Sequence, residues 1–135
     1  MPRRWMNRRN PSDLTKRRLR KLRQAAEALY EDDWEWFEGG RCADVSVALA
    51  MGAERAGWKN VRVISGTAQS RVGRPKVFHA WLDVGGERFD PTWEVLFGKQ
   101  GRNYQGKQDD YYCFGVDPED LEWRVDEVVM DILEE

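Results

Sequence analysis

Apolar residues recur at three- and four-residue steps in one early segment: Leu19, Leu22, Ala26, Leu29 and Tyr30. That spacing lays a single stripe along a helix. Ser12 is suited to cap it, so a helix is predicted from Asp13 to about Tyr30. The basic side chains in between fall mostly on the other faces. Residues 31–38 are acidic and aromatic, with Trp34, Trp36 and Phe37 as a packed edge of the core or the wall of a cleft. Gly39-Gly40 breaks the chain. A second, more apolar helix is predicted from about Cys42 to Ala56, with Gly57 as its stop.

The period then changes from about 3.6 to 2. Val61 to Ile64 and Val77 to Val84 read as strands, separated by a Gly/Pro-bearing loop from Ser70 to Pro75. Gly85-Gly86 is a two-residue hairpin signal, and Glu87 to Asp90 returns as a third strand ended by Pro91. Phe97 to Asp110 is polar and Gly-rich, and reads as a mobile loop over a site. Tyr111 to Val116 reads as another strand, Asp117-Pro118 as a turn, and Val125 to Leu133 as a last amphipathic segment. Helices followed by an antiparallel sheet make the fold class α+β. Residues 1–11 read as a basic tail, and 12–135 as one domain.

Composition sets the bounds. The 135 residues are 41% apolar and 34% charged, the profile of a soluble globular domain. Two cysteines make neither a disulfide framework nor a zinc pattern, which points to a reducing compartment. The basic N-terminus has no apolar segment behind it, and the apolar run from Val45 to Ala53 is too short to cross a bilayer. The expectation is a cytoplasmic protein without a membrane partner. Charge is divided unevenly. Residues 1–24 carry ten Lys/Arg against Asp13 alone, while residues 25–135 carry 12 basic and 23 acidic groups. A basic arm on an acidic body can engage nucleic acid or another polyanion, or fold against its own body. Without base-reading residues or a known motif, nucleic-acid binding through residues 1–24 is the minority reading.

The candidate chemistry lies between Gly39 and Trp93. Gly39-Gly40-Arg41-Cys42-Ala43-Asp44-Val45-Ser46 places a thiol at a helix start, where free N–H groups and the helix dipole favour negative charge. The thiolate is the nucleophilic form, and the backbone N–H of Cys42 is an oxyanion donor in waiting. His79, the single histidine, sits mid-strand in Phe-His-Ala-Trp. Alternation puts Val77, His79 and Trp81 on one face and Phe78, Ala80 and Leu82 on the other. With Gly85 and Gly86 as the turn, Val84 faces Glu87, and Asp90 becomes a diagonal neighbour of His79 on the same face. A carboxylate there holds an imidazole in one tautomer. Each residue alone is ordinary packing or turn chemistry. Together they read as a Cys42–His79–Asp90 triad. Trp36, Trp81 and Trp93 are candidate pocket walls, Asp44 supports the first helical turn, and Cys113 is expected in the core.

These three motifs, Gly-x-Cys-x-Asp-x-Ser, His-Ala-Trp and Phe-Asp-Pro-Thr, occur in the order found in the transglutaminase-like superfamily of papain-like thiol enzymes, which this chain resembles from Gly39 to Trp93. The resemblance implies a cysteine-bearing helix packed on an antiparallel sheet that carries the other two residues. It implies Cys42 as nucleophile, His79 as general base and acid, and Asp90 as the residue that orients His79. The function so implied is acyl transfer from an amide of a protein or peptide, without a metal or organic cofactor, and hydrolysis is favoured over transamidation. Arylamine N-acetyltransferases share the Cys-His-Asp order but are much longer, and their acyl-CoA-binding portions have no room here. The alternative is a binding module on the same fold that has lost useful turnover and engages nucleic acid or an acidic protein through its basic arm.

Overall fold

The computed structural model describes residues 12–32, 42–109 and 113–134. Helix α1 spans Asp13–Asp32 and α2 spans Cys42–Arg55. Ser12 caps α1, its Oγ accepting from the Thr15 N–H at 3.1 Å. Leu22, Ala25, Ala26, Leu29 and Tyr30 are buried along its stripe, and Leu19 packs at the margin. Each fully buried leucine contributes about 1.5–3 kcal/mol. Burial of the stripe therefore holds α1 in place more than its helix propensity does. Two of its cations engage the chain's own body. Arg18 lies over the Trp58 ring at 5.1 Å, and Arg23 pairs with Glu94 at 2.7 Å.

Four strands follow: β1 (Val61–Gln69), β2 (Val77–Val84), β3 (Glu87–Phe89) and β4 (Arg102–Asp109). They form one antiparallel sheet in the order β3-β2-β1-β4. A short helix, α3 (Pro91–Phe97), joins β3 to β4. The hairpin register is the one the Gly85-Gly86 turn predicts, with Val84 opposite Glu87 and Leu82 opposite Phe89. Ala80, Leu82 and Val84 of β2 join the main core with α1 and α2. Alternation sends His79 and Trp81 to the other side. The mixture of helices and antiparallel sheet is α+β. No helix among the described residues is long and apolar enough to cross a membrane.

The chain closes with short 3₁₀ turns at Cys113–Gly115 and Pro118–Leu121 and a helical stretch, α4. This stretch is α-helical over Glu122–Arg124, π-helical over Val125–Val129 and α-helical again over Met130–Leu133. It packs on α2 at Gly52, where a Cβ would fall 2.4 Å from Val129 Cγ1. Arg55 at the end of α2 pairs with Glu122 and Asp126.

Four sequence expectations need correction. The polar stretch read as a mobile loop from Phe97 to Asp110 contains β4. The strand expected from Tyr111 to Val116 is instead a 3₁₀ turn at Cys113–Gly115, where Phe114 takes a left-handed backbone (φ 52); Tyr111 and Tyr112 lie outside the described residues. The first strand runs on to Gln69, because Gly66 pairs with His79 on one side and Gly106 on the other. Asp90 is not the last residue of a strand but the N-cap of α3.

Candidate active site

The Asp90-Pro91-Thr92-Trp93-Glu94 sequence explains how the carboxylate is fixed. Proline suits the first helical position, and aspartate is a strong N-cap. Asp90 Oδ1 accepts from the Trp93 N–H at 3.0 Å. Glu94 Oε2 reaches back to accept from the Asp90 N–H at 2.7 Å, and its Oε1 takes the ion pair from Arg23. Gln100 donates to Glu94 at 3.1 Å and to the Arg88 carbonyl at 2.6 Å. The cap is held by α1 and by the segment leading into β4.

Asp90 Oδ2 is 2.7 Å from His79 Nε2. The same oxygen accepts from the Tyr104 hydroxyl, also at 2.7 Å. His79 is 2% exposed and Asp90 is fully buried. With Nε2 committed to Asp90, Nδ1 is the ring nitrogen left over, and Cys42 is the other titratable group whose interaction shifts this imidazole. Burial alone drives the imidazole towards its neutral form. The bond to Asp90, the contact with Cys42 and the negative charge on both outweigh it and raise the His79 pKa from 6.5 to about 9. The imidazolium is therefore the resting form at neutral pH.

Aromatic rings fix the imidazole plane. Trp93 lies flat on His79, with centroids 3.8 Å apart and planes 14° from parallel, an arrangement that favours a cationic ring. Trp81 is farther away at 6.1 Å and meets the Tyr104 ring edge-on at 4.8 Å. Glycines in and beside β4 make room for both indoles. A Cβ on Gly101 would fall 2.3 Å from the Trp93 ring, and one on Gly106 would fall 2.8 Å from Trp81.

Cys42 is the first residue of α2, so its N–H has no acceptor within the helix. It is 8% exposed, at the floor of a groove of about 350 Å³. Phe78 and Phe114 wall this groove, their rings 6.2 Å apart, and both are well exposed. Tyr30 of α1 is buried within electrostatic reach of Cys42 and Asp90. Burial comes first in pushing its phenol up to about 12; the Thr92 hydroxyl opposes this, and the charges of Cys42 and Asp90 reinforce it.

The structure thus brings Cys42, His79 and Asp90 together, with Trp93 on the imidazole and Trp81 one ring farther out. Trp36 and residues 33–41 lie outside the described residues, as does the Cys113 side chain. Sequence reasoning missed Tyr104, Tyr30, Phe78 and Phe114. Tyr104 carried the one available signal, a lone aromatic in a polar stretch. Searches against protein-family models, curated proteins and solved structures found no match to this chain.

Proposed function

We propose that this chain is a thiol acyl-transfer enzyme of the transglutaminase-like, papain-like kind, acting on an amide of a protein or peptide and passing the acyl group to water. The observation that carries the reading is His79, buried between the Asp90 carboxylate at 2.7 Å and the Cys42 thiol. A buried imidazole held by a carboxylate on one nitrogen and electrostatically coupled to a helix-start thiol is the arrangement nucleophilic catalysis needs.

With the proton already on His79, Cys42 attacks the amide carbonyl carbon as the thiolate, forming a C–S bond. The backbone N–H of Cys42 donates to the developing oxyanion. The His79 imidazolium then gives its proton to the amide nitrogen as the C–N bond breaks, and the amine leaves. Water attacks the thioester as the neutral His79 accepts its proton, and collapse breaks the C–S bond to give a carboxylic acid and restore the thiolate–imidazolium pair. Asp90 holds the ring in one orientation throughout and stabilises its charge.

An activated ester such as p-nitrophenyl acetate tests this directly. The expected result is a burst of p-nitrophenolate with an acetyl thioester mapped to Cys42. The burst should disappear in Cys42→Ala and in His79→Ala. An adduct that forms equally well without His79 would overturn the reading.

A further inference from the structure

A second opening lies at the start of β2, separate from the Cys42 groove. It is a cleft of about 580 Å³ lined by Arg71, Arg74 and Lys99 together with the apolar Val77 and Phe97. Phe97 is 56% exposed. Among the described residues, none of the three cationic heads has an ion-pair partner. Neighbouring Lys76 is different, because its Nζ donates to Gln105 Oε1 at 2.9 Å.

The sequence keeps acids away from this cleft. Residues 68–82 contain Arg71, Arg74 and Lys76, residues 95–108 contain Lys99, Arg102 and Lys107, and neither stretch has an Asp or Glu. Residues 25–135 as a whole carry nearly two acids for every base, so the cleft is an electropositive exception on an acidic body. It also neighbours the catalytic residues. Val77 lines the cleft on the face of β2 that carries His79, while the next residue, Phe78, lines the Cys42 groove from the opposite face. Phe97 lies 6.4 Å from Trp93, the ring that stacks on His79.

We infer that the cleft is a specificity subsite for an acidic peptide segment flanking the amide attacked at Cys42. The inference rests on the thiol acyl-transfer reading above. Guanidinium forks pair with carboxylates in a geometry that lysine does not match, and two of the three cations are arginines. Val77 and Phe97 give apolar contact to the stems between the acidic groups.

The test uses the full-length protein and fluorescein-labelled hexaglutamate, hexalysine and oligothymidylate, followed by anisotropy at low salt. Hexaglutamate should bind and hexalysine should not. Arg71→Glu/Arg74→Glu should weaken hexaglutamate binding about tenfold or more, and Lys59→Glu, at the far end of the sheet, should leave it within twofold. In the wild type, hexaglutamate should also slow alkylation of Cys42 by iodoacetamide. The cleft assignment is overturned if the double variant binds hexaglutamate as tightly as the wild type. It is equally overturned if oligothymidylate outcompetes hexaglutamate through the same two arginines. A reactive Cys42 without Arg71/Arg74-dependent binding overturns the cleft alone. An unreactive Cys42 with that binding intact overturns the acyl-transfer reading and supports the cleft as a site for acidic peptides.

Discussion

At the scale of the residue, Asp90 Oδ2 is shared between two donors, His79 Nε2 and the Tyr104 hydroxyl. Burial comes first, then the Asp90 charge and its bond, in raising the Tyr104 pKa above the ordinary phenol value, so the hydroxyl stays protonated and donates. Tyr104 is thus a positioning residue that competes with His79 for the same carboxylate oxygen. Tyr104→Phe removes one claim on that oxygen and leaves His79 the sole donor. The His79 pKa should then rise further above about 9, while stability falls by about 1.5–3 kcal/mol for the lost charge-assisted bond. The chain has one histidine, so its imidazole resonances report the titration without ambiguity. An unchanged titration in the phenylalanine variant would show that Tyr104 is structural alone.

At the scale of the element, one residue serves both α3 and the imidazole. Asp90 caps the helix through Oδ1 and holds His79 through Oδ2. Asparagine preserves the cap and removes the charge, whereas alanine removes both. Asp90→Asn should therefore be more stable than Asp90→Ala by about 1 kcal/mol in urea unfolding. In both variants the His79 titration should fall from about 9 towards 6.5. Equal stabilities would show that the cap contributes nothing. Legibility in the sequence followed the same physics. The β2–β3 hairpin is readable because Gly85-Gly86 fixes the turn and alternation fixes the face, which together bring Asp90 beside His79. Helix α3 is not, because Asp90-Pro91 suits the end of a strand as well as the start of a helix. β4 carries no apolar alternation: it is an edge strand, mostly exposed and held to β1 by backbone pairing, and its side chains do not announce it. The π-helical segment of α4 left no mark in the periodicity of Val125, Val128 and Val129.

At the scale of the molecule, the site and the stability of the fold are linked through protons. The folded His79 pKa lies above its ordinary value, so protonated His79 stabilises the native state. That contribution is full below pH 6.5 and is lost as pH rises through about 9. Urea midpoints should fall across that window in the wild type and fall less in His79→Ala; parallel profiles would contradict the link. The basic segment also belongs to the whole. From Asp13 onward it is a core helix, and Arg23 reaches the cap of Asp90 through Glu94. Charge counting alone could not show that. The measurement that tests the central claim most directly is the pH profile of Cys42 alkylation by iodoacetamide, with both cysteines mapped by mass. The account predicts that Cys42 reacts readily below neutral pH and that His79→Ala abolishes this low-pH reactivity. A Cys42 that is inert, or that reacts only at alkaline pH whether or not His79 is present, would contradict it.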